Sequence, residues 1–330
     1  MNDPTSVSEL GERPLISRLS GVFGSVHNPD VPLGAGPDDC AVIDISEDEY
    51  MVITTDMLHR KTDFPLCMTP WQIGWMSAAV NFSDVASMGA RPIGFLSAMG
   101  FSKDTDLSFV DEVSRGMNDC ARFCGTSVIG GDIDTHDELT ITGTCLGKVK
   151  KSELLTRRGA KPGDIVCVTG FAGSAGAALH ALENDIDIPD SLLNTLLEPV
   201  PRVSEAQKLA LTGAVTSMMD TSDGLAMSLH DLADLNNVGF RIDEDSLPIQ
   251  KEIEDHVTSE SSELTDFALY TGGDFELLFT VSPDMLEVAQ TACYLNVIGN
   301  VVDREVGTIL RCHSGKNLTI NRKGYLQLGN

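Results

Sequence analysis

Met218-Met219-Asp220-Thr221-Ser222-Asp223-Gly224-Leu225 joins an apolar lead-in to a helix-like run from Leu225 to Leu235. The pattern predicts a strand that ends at Asp220 and a helix that starts just after it, with Asp223 at or near the N-cap. A helix N-terminus attracts anions, so two acids there sit awkwardly together unless a cation lies between them. Read alone, the motif fits two accounts: a capped helix after a turn, or half of a cation site.

Upstream, the same theme recurs. Gly34 to Cys40 is a glycine-proline turn that ends in Asp38 and Asp39 and runs into an apolar strand, Cys40 to Ile45. A turn at Ser46 to Glu49 and a second strand, Tyr50 to Thr54, complete a predicted hairpin whose end carries Thr54, Thr55 and Asp56. Thr69-Pro70 opens a helix predicted to reach Met88, with Gly89 as its stop. That helix is apolar nearly all round, yet it carries Asn81 and Asp84 on one face. A buried carboxylate is costly without a cation or strong donors, so Asp84 reads as metal-facing, against a hydrogen bond to a neighbouring loop. Ser127 to Ile129 is a short strand that leads into Gly130-Gly131-Asp132, where paired glycines would let the backbone approach a ligand. An amphipathic helix is expected at Ser8 to Phe23, another at Ser108 to Phe123, and strands at Pro92 to Gly100 and Leu139 to Val149.

Lys150 to Gly163 is the most basic segment and marks the expected domain boundary, dividing residues 1–149 from 150–330. Its Arg157, Arg158 and Lys161 fit either a solvated linker or a phosphate clamp. Gly170 to Gly176 could offer backbone N–H groups to a phosphate, although it lacks the Lys-Ser/Thr of a Walker A loop. Thr271-Gly272-Gly273-Asp274-Phe275-Glu276 repeats the glycine-glycine-Asp arrangement of the first half.

A chain of 330 residues has room for two cores. Its net charge of −26 argues against nucleic acid and anionic membrane as partners. No apolar run has the length of a bilayer span and no signal pattern opens the chain, so a cytoplasmic enzyme is expected. Eight Cys at irregular spacing read as free thiols. Asp at six turns, strand ends or helix positions, without clustered His or Cys, suits Mg²⁺ and not zinc. No nucleophile motif is present, which leaves a Mg²⁺-dependent enzyme that uses a nucleotide or phosphate, working by alignment and charge neutralisation.

Taken together, PDDCAVIDI, TTDML, NFSDVASMGARP, GGDIDTH, TRRGAKPGD, DTSDGL and GGDFELLFT resemble, in this order and from about Ser8 to Tyr325, the thiamine-monophosphate kinase family. The resemblance implies an α+β architecture of two domains: an N-terminal mixed-sheet domain that forms a dimer sheet or barrel, and a C-terminal α+β domain. ATP is expected in the groove between them, and the protein as a homodimer. It implies that ATP phosphorylates thiamine monophosphate to thiamine diphosphate by direct in-line transfer with several Mg²⁺ ions. Carried over by motif, Asp39, Asp84, Asp132, Asp220 and Asp223 would be metal ligands, with Thr54, Thr55 and Asp56 in the same cluster. Gly131, Asp132, Arg157 and Ser222 would contact ATP; Asp132, Arg157, Asp220 and Asp223 would carry catalysis.

Two departures fall on the acceptor side. The family's His after its S/T-T-D motif aligns here near Asp63, with His59 close by, and its G-G-E-D-Y/F-E-L is one acid shorter, so Asp274 would take the place of the substrate-contacting Glu. Tyr325 would either neighbour the thiamine rings or simply pack the C-terminus. The alternatives are another ATP-dependent member of the superfamily, such as an aminoimidazole-ribonucleotide synthetase-like enzyme with a different acceptor, or a non-catalytic acidic binding protein.

Overall fold

The computed structural model describes residues 6–23, 28–36 and 38–327. Strands β1 (Ala41–Asp44), β2 (Glu49–His59), β3 (Arg91–Phe101), β4 (Val128–Thr135) and β5 (Thr140–Lys150) form one sheet in the order β1-β2-β5-β3-β4. All pairs in it are antiparallel except β3 with β4. Within one copy this sheet is open, with β1 and β4 as its edges. A second, seven-stranded sheet is assembled from β6 (Ile165–Val168), β7 (Val215–Asp220), β8 (Val238–Asp243), β9 (Leu277–Val281), β10 (Asn296–Asp303), β11 (Thr308–Arg311) and β12 (Asn317–Thr319). Its order is β12-β11-β8-β10-β6-β9-β7, which puts β7 and the Asp220 motif at one edge.

Period-two patterning explains the sheets. Along β5, Ile141, Gly143, Cys145, Gly147 and Val149 are buried while the residues between them are not. The helices that position the site are α1 (Val7–Leu10), α2 (Glu12–Phe23), α3 (Pro70–Ser87), α4 (Leu107–Phe123), α5 (Ser174–Glu183), α6 (Asp190–Leu197), α7 (Val203–Thr212) and α8 (Leu225–Asn236). The N-terminal helix is therefore two helices, split at Gly11, whose φ of 78° is outside the helical range.

Helix α3 is the centre of the molecule. A capping box starts it, with Gln72 N donating to Thr69 Oγ1 at 3.2 Å and Thr69 N donating to Gln72 Oε1 at 2.9 Å. Pro70 occupies its first turn, and the helix stops just before Gly89. The apolar composition on every side is matched by burial: Ile73, Ala78, Phe82, Val85 and Ala86 are fully enclosed. Burying Phe82 alone contributes about 1.5–3 kcal/mol. One continuous core runs from the first sheet through α3 to Cys167, Met218 and Phe279 of the second. Against α4 the approach is closer than any side chain allows: a Cβ on Gly74 would lie 1.9 Å from Val113 O, and one on Gly116 1.9 Å from Trp71 O.

Three local expectations need correcting. Strand β2 continues past Thr54 to His59, so Thr54, Thr55 and Asp56 lie inside a strand and not at its end. Strand β4 takes in Gly130, Gly131 and Asp132, which are extended edge backbone and not a turn. The N-cap of α8 is Gly224 (φ 98°), not Asp223, and no side chain caps the helix. The capped-helix account of Asp223 falls with this.

Candidate active site

Three carboxylates converge where the turn before β1, helix α3 and strand β7 meet. Oxygens of Asp39, Asp84 and Asp220 lie within 4.8 Å of one another. Each is held by its own donors. Thr54 Oγ1 donates to Asp84 Oδ2 at 2.6 Å. Ser83 Oγ donates to Asp220 Oδ2 at 2.6 Å, and Ser222 Oγ to Asp220 Oδ1 at 3.1 Å. Ser87 Oγ donates to Asp39 Oδ2 at 2.7 Å, and Arg157 forks onto Asp39 Oδ1, its Nε at 3.1 Å. The Arg157 backbone N–H reaches back to Asp38 Oδ2 at 3.2 Å, fixing the basic segment against the acidic turn.

The electrostatics of this cluster are unfavourable as they stand. Burial pushes Asp220 up to about 7, with Asp39 adding to the rise against the opposing pull of Ser83 and Arg157. Burial and the charges of Asp39 and Asp223 bring Asp56 to about 6, and burial and neighbouring acids hold Asp84 well above the carboxylate range. Burial and Asp39 likewise raise Asp38 to about 7. Acids gathered at this spacing in low dielectric must take up protons or share a cation. The donors are hard oxygens, with no His or Cys in the cluster, and they fit a divalent cation of the Mg²⁺ type.

Beside the cluster opens a cavity of about 350 Å³, bordered by Asp56, Asp84, Ser222 and Asp223 and by Asp63 and Tyr325. Asp223 is partly exposed and ion-paired to Arg13 Nη2 at 2.7 Å. Asp63 accepts from His59 N and from Thr62 Oγ1, each at 2.7 Å. Tyr325 is tied to the motif loop by its backbone N–H, which donates to Asp223 O at 3.0 Å. Burial and nearby Asp63 and Glu12 push its phenol up to about 12.

Thus Asp39, Thr54, Asp56, Asp84, Arg157, Asp220, Ser222 and Asp223 are gathered around one cleft, with Asp63 and Tyr325 on the same cavity. Thr55 is not part of it. Alternation along β2 turns its hydroxyl away, and it donates to Gly143 O at 2.7 Å and meets Thr144 Oγ1 at 3.1 Å. Gly131 and Asp132 are not part of it either. They line a separate hollow with Ser97, Ser114 and Met117, between β4 and α4. Gly131 answers a packing need, since a Cβ there would lie 1.8 Å from Ser97 O on the neighbouring strand.

Asp274 makes contacts that its motif does not announce. Its carboxylate accepts from Gly173 N at 2.6 Å and Ala175 N at 2.9 Å, capping the start of α5 from a distant loop. Burial lifts it to about 7 in spite of those bonds. Gly272, Gly273 and Phe275 of the same loop line the cavity instead.

Sequence reasoning missed Ser87, Glu12, Arg13 and Gln327. Ser87 carried a signal, being three residues after Asp84 on the same helix. The other three reach the site through contacts with no local pattern. Gln327 N donates to Glu12 Oε2 at 2.7 Å, joining the two ends of the described chain beside the cavity.

Comparison with known proteins places this geometry. The family model described as AIR synthase related protein, N-terminal domain, matches residues 37–149, and that described as AIR synthase related protein, C-terminal domain, matches residues 161–311. The chain is 43% identical over 250 residues to the thiamine-monophosphate kinase of Methanospirillum hungatei, covering 76% of this chain and 81% of the relative. It is 33% identical over 323 residues to that of Archaeoglobus fulgidus, covering 96% and 98%. Among solved structures, AaThiL complexed with AMPPCP and TMP is similar with a TM-score of 0.83 at 25% identity, over 99% of this chain and 100% of the other.

Proposed function

Because the chain belongs to the AIR synthase related family, and within it to the thiamine-monophosphate kinases, we infer that the acidic cleft performs phosphoryl transfer between two phosphates. The protein phosphorylates thiamine monophosphate with ATP and yields thiamine diphosphate and ADP. The observation that carries the reading is the convergence of Asp39, Asp84 and Asp220 from three separate elements beside the 350 Å³ cavity.

The acceptor is already an ionised phosphate, so no side chain has to remove a proton to create a nucleophile. An acceptor oxygen attacks the γ-phosphorus in line, the bond to the β-γ bridging oxygen breaks, and ADP leaves. What obstructs the step is repulsion between two anions and a ring of acids. Asp39, Asp84 and Asp220 would hold a Mg²⁺ ion, with Asp56 and Asp223 at hand for a further one, and the bound metal would supply the neutralising charge. The chain's own residues hold the ligands still. Ser83 and Ser222 fix both oxygens of Asp220, Thr54 fixes Asp84, and Ser87 and Arg157 fix Asp39. A ligand already held by donors needs little reorganisation when the charge shifts, and that is where alignment lowers the barrier. Arg157 acts on this reading through Asp39, with the nucleotide phosphates next to it.

We place the acceptor's thiamine portion by Asp63 and Tyr325, which border the cavity, and leave Asp274 as a helix cap. Within one copy, Gly131 and Asp132 stand apart from this cleft. Supporting a homodimer, β4 is an open edge that exposes Ile129 at 57% and Ile133 at 66%. The domain division at Lys150 fits the change from one sheet to the other. A cytoplasmic location fits eight cysteines held as free thiols.

The test is direct. Purified protein with ATP, Mg²⁺ and thiamine monophosphate should form thiamine diphosphate; no product there, with turnover of a different acceptor, would refute the assignment.

A further inference from the structure

The acids around the cavity fall into two groups by their hydrogen bonds. Asp84, which accepts from Thr54 Oγ1, belongs with the cation cluster of Asp39 and Asp220. Glu12 and Asp63 belong to a different network, centred on Gln327. The Gln327 backbone N–H donates to Glu12 Oε2 at 2.7 Å, its side chain donates to Thr62 Oγ1 at 3.3 Å and Asp63 Oδ1 at 3.4 Å, and Tyr325 Oη donates to Gln327 Oε1. The same cavity has an apolar wall that includes Met76, Val80 and Phe275. Two carboxylates, a phenol and an apolar wall suit a flat organic cation, and not a phosphate. Thiamine carries such a cation permanently in its thiazolium ring.

Glu12 comes from α2, and this helix is attached in an unusual way. No residue of α2 is buried, and Ile16, Leu19, Val22 and Phe23 are exposed at 44%, 42%, 73% and 70%. Polar ties therefore carry much of its docking. Arg13, next to Glu12, donates through Nη2 to Asp223 at 2.7 Å and through Nη1 to Asp231 of α8. Asp231 is only 12% exposed, and Arg322 approaches it at 3.9 Å.

We propose that Glu12 is a specificity residue for the positive ring of the acceptor, carried on a strap, helix α2, that Arg13 latches to α8. This rests on the assignment of thiamine monophosphate as acceptor. The Glu12 carboxylate faces the cation while the cluster around Asp220 handles the phosphates, so the two ends of the substrate are recognised by opposite chemistry. Arg13 is a positioning residue: it neutralises Asp231 and Asp223 and thereby sets Glu12 over the cavity.

The experiment uses the full chain and two readouts. Glu12→Gln keeps an acceptor for the Gln327 amide and removes the charge. Binding of thiamine itself, which lacks the phosphate, is measured by calorimetry in the presence of Mg²⁺ and AMPPCP. Glu12→Gln should weaken thiamine binding and raise the KM for thiamine monophosphate about 10-fold, with kcat and the KM for ATP changed less than about 3-fold. Asp231→Asn and Arg13→Met should raise the same KM and also increase amide hydrogen exchange over residues 12–23. If the parent protein makes thiamine diphosphate yet Glu12→Gln binds thiamine as tightly as the parent, the specificity role is overturned. If Asp231→Asn and Arg13→Met leave exchange in α2 unchanged, the latch is overturned. If the parent makes no thiamine diphosphate, the kinase assignment itself fails, and this inference with it.

Discussion

Replacing Arg202 by Met should destabilise the protein by about 3 kcal/mol, because it strands a carboxylate that has little access to water. Glu276 is 7% exposed in its side chain, and its oxygens are taken by Arg202, through Nε at 2.7 Å and Nη2, and by Thr169 Oγ1 at 2.6 Å. Removing one partner of such a buried pair costs about 3–5 kcal/mol. Thr169 still supports one oxygen and Arg202 is 26% exposed, which favours the lower end. The double variant Arg202→Met, Glu276→Gln removes the charge along with its partner and keeps an acceptor for Thr169, so it should recover to within about 1 kcal/mol of the parent. Urea unfolding reads this out. With a slope near the top of the usual range, about 3 kcal/mol per molar, the single variant's midpoint should fall by about 1 M with the slope unchanged. Activity should fall too, because the Glu276 backbone exchanges hydrogen bonds with Thr221, between Asp220 and Ser222. A midpoint shift under about 0.3 M, or a double variant no more stable than the single one, would refute the reasoning.

Asp220→Asn and Asp84→Asn should each lower kcat by about 10³-fold or more while far-ultraviolet circular dichroism stays that of the parent; retained turnover would contradict the metal assignment. Without Mg²⁺, stability should decrease from about pH 4 to above pH 7. Asp220 and Asp56 are raised from 3.8 to about 7 and about 6, so the folded state binds the extra protons in that window and loses the advantage as they dissociate. Mg²⁺ should then raise the melting temperature more at pH 8 than at pH 5, and an equal rise at both would count against a cation among these acids. Thr55→Val should leave the Mg²⁺ dependence of the rate untouched at a cost of about 1 kcal/mol for its bond to Gly143 O, whereas Thr54→Val should shift the Mg²⁺ requirement upward.

How much of this was legible beforehand depended on whether the signal was local. Asp220 could be placed because an apolar strand runs straight into it, and Asp84 because a carboxylate on an otherwise apolar helix demands a partner. The orientation of Thr55 was hidden because nothing in the motif announces that the strand runs on five residues past Thr54, to His59, and alternation sends neighbouring hydroxyls to opposite faces. The capping contacts of Asp274 were hidden for a different reason. Its partners are the amides of α5, about a hundred residues away in the chain, and an Asp beside two glycines looks the same whether it faces a ligand or a helix end. Arg13 meets Asp223 across 210 residues, and no pattern near Arg13 foretells it. The edge position of β4 was equally hidden, because strand order is set by long-range pairing and not by composition.

Adjacent residues of α3 grip both sheets: Ser83 bonds Asp220 of the second at 2.6 Å, and Asp84 accepts from Thr54 of the first, also at 2.6 Å. With Gly74 and Gly116 meshing this helix tightly to α4, α3 works like a shared axle on which the two sheets are keyed at the point of chemistry. Sliding one sheet past the other would shear the ligand triad before it could embrace a nucleotide. Helix α2, none of whose residues is buried, and the chain around Tyr325 and Gln327 lie outside this keyed centre. On the proposed assignment the phosphates would meet this keyed centre, and the organic end of the acceptor would meet parts held mainly by polar ties.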